Sequence, residues 1–129
     1  MSNYSIQKEV TGEFQEVISK VKETLRLEEF GVLTEINVSE TLQKKLNVDY
    51  PQYVILGACN PRSAYQALQA EKEIGLLLPC NIIVYEHKGK VTVAAIRPTV
   101  AMQMTENTKI EDIAKEVEKK IQKVISQLY

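Results

Sequence analysis

Residues that usually build catalytic and metal sites are scarce in this chain. Its 129 residues include two cysteines, one histidine and no tryptophan. Two thiols are too few for a self-contained four-cysteine zinc site, and in a reducing compartment they are more often free than joined in a structural disulfide. The sequence has no phosphate-binding glycine loop, dinucleotide fingerprint, zinc-protease helix motif or nucleophile elbow. Paired acids such as Glu116 and Glu118 predict a solvated helix face. No common catalytic class and no cofactor is indicated, and whether the chain is an enzyme stays open.

Long apolar runs and a large excess of one charge are also absent. The longest apolar region, 74–85, is interrupted by Pro79-Cys80-Asn81 and is shorter than the roughly 20 residues needed to cross a bilayer. Residues 1–8 lack the apolar core and cleavage site of a secretory signal, which predicts a cytoplasmic protein. The formal net charge of -1 provides no attraction to nucleic acid phosphates. We therefore expect neither a membrane nor a nucleic acid as partner.

Length and composition predict a single domain over residues 1–129. With 44% apolar and 26% charged residues, the chain has the composition of an ordinary globular protein. It contains no internal repeat, low-complexity segment or linker.

Hydrophobic periodicity predicts an α+β fold in β-α-β-β-β-β-α order, with short helices inserted between strands. The predicted strands cover 4–10, 32–38, 53–59, 81–86 and 90–96. Apolar residues at steps of three and four predict two long amphipathic helices, one over 14–26 and one at the C-terminus. The C-terminal stripe has eight members: Ile110, Ile113, Ala114, Val117, Ile121, Val124, Ile125 and Leu128.

Turn and cap residues predict where these elements begin and end. Asn60-Pro61 is a strong helix start, because Asn accepts free amide hydrogens and Pro at the first helical position gives up no needed donor. Thr108 and Glu111 match a capping box for the last helix, and Gly31 closes the first. His87-Lys88-Gly89 predicts a hairpin between the last two strands, with His87 a solvated loop residue.

The candidate functional residues are two Cys-Asn dipeptides. Cys59-Asn60 follows a strand, Cys80-Asn81 precedes one, and together they hold both cysteines of the chain. Sites are often built where elements end, so Cys59, Asn60, Cys80 and Asn81 are the predicted ligand-binding residues.

Each of these residues also has a purely structural interpretation. A free cysteine is a small, often buried apolar side chain, Asn60 is a helix cap, and Asn81 is a turn residue. A reactive thiol requires a lowered pKa, which the helix start after Cys59 is able to provide. Two thiols also supply half of a soft metal site. If the two flanking strands were parallel, the cysteines would lie at opposite sheet edges, about 20 Å apart.

Several segments of the chain resemble one known family over nearly its whole length. They are Leu56-Gly57-Ala58-Cys59-Asn60-Pro61, the stretch Glu73 to Asn81, Val84-Tyr85-Glu86 and Gly31 to Glu35. This pattern is similar to the Domain of Unknown Function 302 family. The resemblance implies a TATA-binding-protein-like fold, in which a curved antiparallel sheet carries two long helices on one face, and it implies a dimer. It implies no biochemical activity. In the antiparallel order that it implies, Cys59 and Cys80 lie at the same sheet edge.

Together these observations favour a cytoplasmic, homodimeric small-ligand-binding or accessory domain, with its pocket at the two Cys-Asn motifs. Its expected partners are a second copy of the chain and a small ligand or soft metal ion. Two rival hypotheses are a thiol-dependent redox enzyme or sensor using Cys59 and Cys80, and a purely structural interaction protein that dimerises through strand 53–58.

Overall fold

Five strands form one antiparallel sheet in the computed structural model, which describes residues 3–129. In chain order they are β1 (Ser5–Val10), β2 (Gly31–Asn37), β3 (Tyr53–Cys59), β4 (Cys80–His87) and β5 (Lys90–Ile96). Their spatial order is β1-β5-β4-β3-β2, and every neighbouring pair is antiparallel. The predicted sheet is confirmed. Met1 and Ser2, which begin the segment assessed for a secretory signal, lie outside the described residues.

Two long helices cover one face of the sheet, as predicted. The α-helices are α1 (Phe14–Leu27), α2 (Val38–Leu46), α3 (Pro61–Ala70), α4 (Pro98–Ala101) and α5 (Thr108–Gln127), and 3-10 turns cover Lys72–Leu77 and Gln103–Thr105. Helices α1 and α5 contact each other and the sheet. The segment from α4 to the second 3-10 turn was not predicted, because helices this short carry no periodic signal.

The core lies between the sheet and these two helices. Alternate residues of the central strands, including Val54, Leu56, Ile82 and Val84, are at most 2% exposed. Seven of the eight predicted stripe residues of α5 are buried, and Ile113 is half-buried. Each valine, leucine or isoleucine of this stripe contributes about 1.5 to 3 kcal/mol when fully buried, so burial of the stripe is a major part of the fold's stability.

Three local structures differ from the sequence predictions. Asn107, rather than Thr108, caps α5, and its side-chain oxygen accepts a 3.0 Å hydrogen bond from the amide of Lys109. Helix α1 ends before Gly31, because Glu29 adopts a positive φ of 68° and the amide of Phe30 bonds back to the carbonyl of Leu25.

The third difference is at Glu118, which is buried rather than solvated. Glu118 is 8% exposed, whereas Glu116 is exposed as predicted. The carboxylate accepts hydrogen bonds from Thr99, and one of its oxygens lies 3.6 Å from Nε of Arg97. The segment around α4 therefore folds over this carboxylate and removes it from water.

The sheet face opposite the long helices has an apolar centre. Tyr53 and Ile55 of β3 pair with Tyr85 and Ile83 of β4, and all four are half-buried. The rings of Tyr53 and Tyr85 stack with centroids 5.7 Å apart. Ile36 of the edge strand β2 pairs with Ile55 and is 49% exposed. We call this surface the open face.

The β4–β5 hairpin is present as predicted. His87 pairs with Lys90, and the two residues between them, Lys88 and Gly89, have positive φ values of 52° and 78°. This is the conformation of a tight two-residue hairpin turn. His87 is exposed, which confirms its predicted place at the solvated end of the hairpin.

Candidate functional site

A small cavity lies where the end of β3 and the start of β4 meet α3 and α5. Its volume is about 30 Å³. A cavity needs roughly 10 to 15 Å³ to hold one water, whereas sites for ordinary metabolites measure about 300 Å³ or more. The cavity therefore admits a guest of one or a few atoms. Its lining residues are Phe30, Ala58, Cys59, Asn60, Ser63, Ala64, Ala67, Leu78, Cys80, Met102, Ile113, Ala114 and Val117.

Small side chains explain why space remains here. Ala64 and Ala67 lie on the inner side of α3, Ala114 lies on α5, and Ala58 lies on the sheet. Alanine at these four places lets the helices approach the sheet closely but leaves their side chains too short to fill the gap. The lining contains no charged side chain.

The two cysteines lie at the same end of neighbouring strands, which confirms the antiparallel arrangement. Cys80 pairs with Ala58, and Cys59 is the next residue of β3. Antiparallel geometry places the two Cα atoms roughly 6 Å apart. Cys80 is buried, Cys59 is half-buried, and both are free thiols. Cys80 therefore forms part of the cavity wall, and Cys59 is the more accessible of the pair.

Burial suppresses ionisation of both thiols. Desolvation raises the pKa of Cys80 from 9.0 to about 11, and the neighbouring Cys59 contributes in the same direction. Desolvation also raises the pKa of Cys59. The helix start after Cys59 was expected to lower that pKa, but burial of the sulfur raises it instead. At neutral pH both cysteines are therefore neutral thiols.

Asn60 is a buried helix cap, as its structural interpretation predicted. Its side-chain oxygen accepts a 3.1 Å hydrogen bond from the amide of Ser63, and the residue is 6% exposed. Pro61 occupies the first turn of α3. The cap fixes the direction in which α3 leaves the sheet, so Asn60 sets one wall of the cavity.

Asn81 lies apart from the other three predicted site residues. It pairs with Gly57 and is exposed, while Cys80 before it and Ile82 after it are buried. Successive side chains of a strand point to opposite faces, so Cys80 and Asn81 cannot both face the cavity. Asn81 instead lines a neighbouring surface depression, which shares Leu78, Cys80 and Met102 with the cavity. Cys59, Asn60 and Cys80 thus all line the cavity, although the pleat directs the Cys59 side chain to the sheet face opposite that of Cys80. Asn81 lies outside the cavity.

Sequence reasoning missed Met102. This residue is 6% exposed, lines the cavity, and packs with Ala67 and Ala114. It follows the four-residue helix α4, a segment without a readable pattern, so no sequence signal placed it near the cysteines.

Two features are absent from the part of the chain that the structure describes. Within residues 3–129, no three or more His, Cys, Asp and Glu side chains are grouped to hold a metal ion. Across the same residues, no helix has the length and apolar character required to span a membrane.

The comparisons with known proteins agree with this architecture. A family model described as "Domain of unknown function DUF302" matches residues 6–128. The crystal structure of an uncharacterized conserved protein DUF302 from Bacillus stearothermophilus superposes with a TM-score of 0.93 and 29% sequence identity. That alignment covers 99% of this chain and 100% of the other. No curated protein matches the chain.

Proposed function

The chain belongs to the DUF302 family, and we propose that it is a cytoplasmic, homodimeric small-ligand-binding or accessory domain whose ligand enters the cavity beside Cys59, Asn60 and Cys80. The observation that carries this proposal is that two separate chain segments, each with a Cys-Asn dipeptide, contribute to one cavity. Two free cysteines are also consistent with a reducing compartment.

The cavity's chemistry restricts the ligand. The wall is mostly apolar, and the amide oxygen of Asn60 is already bonded to α3. A strongly hydrated ion would lose its water here and gain few replacement contacts. The ligand is therefore small and either apolar or soft, meaning that it prefers sulfur to oxygen.

The thiol enzyme hypothesis has less support. Thiol catalysis needs a thiolate near neutral pH, and burial acts against that state at both cysteines. Alkylation at pH 7 separates the two hypotheses. We expect slow labelling of both thiols in the folded protein and rapid labelling after unfolding, whereas a redox site would label rapidly while folded.

Cavity filling tests the ligand site itself. Native mass spectrometry of the protein purified directly from cells should show a bound mass that is lost on denaturation. Ala67→Leu fills the cavity and should abolish this mass. Ala70→Leu is the matched control, because Ala70 lies on the same helix outside the lining. A protein without any adduct, or one whose adduct survives Ala67→Leu, would contradict the cavity as the site.

The homodimer proposal rests on the open face. Five strands, about 4.8 Å apart and about six residues long, give the open face an area of roughly 480 Å². In a standard interface each partner buries about 800 Å², so the sheet alone is too small. Exposed apolar residues beside β3 enlarge it, namely Leu46, Val48 and Tyr50 at 66%, 43% and 48% exposure. The Tyr50 ring lies 6.2 Å from that of Tyr53, so this loop continues the open face. A second copy of the chain is the occupant with the matching shape and apolar character.

Light scattering after gel filtration tests the dimer. We expect the native chain to have twice its 14.6 kDa mass at micromolar concentration, and Ile36→Lys to make it monomeric. Ile36 is 49% exposed, so lysine there should not disturb the core. Leu27→Lys is the control, because Leu27 is 62% exposed and lies on α1, on the other side of the sheet. A monomeric native chain, or a dimer that persists with Ile36→Lys, would overturn the proposal.

A further inference from the structure

The surface depression beside the cavity is much larger than the cavity itself. Its volume is about 270 Å³, and its sides are formed by residues of two chain segments, 76–81 and 96–102. Leu78, Cys80 and Met102 line both the depression and the cavity. These three residues therefore form the partition between the two spaces.

We propose that the surface depression and the cavity form one binding site for a small uncharged amphiphile. Its neutral head group lies at Asn81, and the end of a short apolar chain passes between Leu78 and Met102 into the cavity. The inference rests on the proposed function, because it names the ligand class for the same cavity. It makes no use of the Cys59 thiol, since Cys59 does not line the depression.

The sizes of the two spaces favour a ligand that occupies both. The cavity has room for one or a few atoms, which is too little for an ordinary metabolite but enough for the end of a hydrocarbon chain. The depression, at about 270 Å³, is close to the size of small-molecule sites and has room for the rest of the ligand.

The composition of the walls predicts an uncharged ligand. Of the described residues that line either space, none carries a charged side chain. A charged group would be partly removed from water there without gaining a counterion, which costs free energy. Apolar wall residues instead gain from contact with hydrocarbon, and Leu76 at the rim is 85% exposed.

Asn81 provides the contact for the head group. It is exposed, and no group within residues 3–129 hydrogen-bonds to its side-chain amide. It lies beside the apolar Ile96, because Ile82 and Ala95 are the adjacent pair of β4 and β5. A side-chain amide both donates and accepts, so Asn81 is able to exchange two hydrogen bonds with a neutral head group such as another amide.

Met102 is the adaptable part of the partition. It is 6% exposed and packs with Ala67 and Ala114. A methionine side chain is unbranched and has three rotatable bonds, so it fills or vacates an irregular gap more readily than a branched residue such as Leu78. An apolar chain that enters beside Met102 replaces one apolar contact with another.

Straight-chain primary amides from butanamide to octanamide are the probes, titrated into the folded chain by calorimetry. Each added methylene that becomes buried should strengthen binding about fourfold, until the chain fills the cavity. The carboxylate and ammonium compounds of the same length should bind at least about tenfold more weakly. Equal affinity for octanamide and octanoate, or no binding of any amide, would overturn the inference.

Filling the cavity tests whether the chain enters it. With Ala67→Leu, butanamide should bind as before, but the gain per methylene should end at a shorter chain than in the native protein. Ala64→Val, at a half-buried position of the same wall, makes the same test if Ala67→Leu does not fold. An unchanged dependence on chain length in the filled cavity would refute the shared site.

Filling the depression tests the outer part of the site. Ala101 lines the depression but not the cavity, and Ala101→Phe should weaken every amide at least about tenfold. Val100→Phe is the matched control, because Val100 is also half-buried on α4 but lines neither space. Equal binding by these two variants would place the ligand elsewhere and reject the inference. Thermal melts show whether each variant remains folded.

Replacing Asn81 tests the head-group contact. Asn81→Leu keeps a similar size and should weaken octanamide about three- to tenfold, whereas Asn81→Gln keeps the amide and should recover much of that loss. Equal affinities for these two variants would overturn the assignment of Asn81. If Ala67→Leu abolishes the adduct seen in native mass spectrometry but Ala101→Phe does not, the proposed function stands and this inference fails.

Discussion

The carboxylate of Glu118 accepts a 2.7 Å hydrogen bond from the hydroxyl of Thr99, nineteen residues earlier in the chain. The amide of Thr99 donates to the same oxygen at 3.0 Å. These two bonds hold α4 against the middle of α5. Since Met102 follows α4 directly, Glu118 positions one wall of the cavity without lining it.

Glu118→Gln should destabilise the fold by about 1 to 3 kcal/mol. A hydrogen bond to a charged group contributes about 1.5 to 3 kcal/mol, and the uncharged amide also loses its attraction to Arg97. Urea unfolding measures the change through the midpoint. Glu116→Gln is the control, because Glu116 is exposed two residues away and should change stability by less than about 0.5 kcal/mol. Equal midpoints for the two variants would show that the buried carboxylate contributes nothing specific.

The sequence was sufficient for elements whose signal is local. The α5 stripe, the Asn60-Pro61 helix start and the β4–β5 hairpin all follow from residue spacing and cap chemistry, and the structure has each of them. These features are set by neighbours along the chain, so tertiary contacts seldom overrule them.

The sequence was insufficient where distant segments meet. The burial of Glu118 depends on Thr99, and the position of Met102 depends on α4, a helix too short to predict. Helix α5 is capped by Asn107 and not by the predicted Thr108. The side-chain amide of Asn107 also donates a 3.0 Å hydrogen bond to Glu71, near the end of α3, and this distant contact is not readable from the local sequence. Asn81 was grouped with Cys80 by adjacency, although strand pleating separates their side chains.

Gly57→Ala should strongly destabilise the sheet. A Cβ built on Gly57 collides with Oγ1 of Thr34 and lies 2.8 Å from Cγ of Pro79, on two different neighbouring segments. Overpacking of this kind typically costs about 1 to 3 kcal/mol. Gly31→Ala is the control, since a Cβ there meets nothing within 4 Å. Chemical denaturation of both variants checks the difference, and comparable stability would mean that Thr34 and Pro79 move aside freely.

Asn60→Ala should cost about 1 to 2 kcal/mol, because the partly buried hydrogen bond from the amide of Ser63 loses its acceptor. Asn60→Ser supplies a shorter side-chain oxygen and should recover much of that loss. Unfolding free energies of the two variants provide the measurement. If serine were no better than alanine, the role of Asn60 in helix capping would be refuted, and a ligand contact would become the better explanation of its burial.

Alkaline pH should destabilise the protein through Cys80. Its pKa is about 11 in the folded chain, against 9.0 for an ordinary thiol. Between these values the unfolded state has already lost the thiol proton that the folded state retains, so stability falls as pH rises. The contribution is fully present below pH 9 and is lost by about pH 11. At 1.36 kcal/mol per pKa unit, the loss approaches about 3 kcal/mol.

The Cys80→Ala variant isolates this effect from the titration of other groups. Removing the sulfur lowers stability at every pH, but it should also flatten the fall between pH 9 and 11 relative to the native chain. Cys59→Ala should flatten the fall less, because Cys59 is only half-buried and burial is the sole cause of its raised pKa. Urea midpoints measured at intervals from pH 8 to 11 provide the curves. If the native and Cys80→Ala curves ran parallel, the thiol would ionise as easily in the folded chain as in water, and the cavity wall at Cys80 would have to be open to solvent.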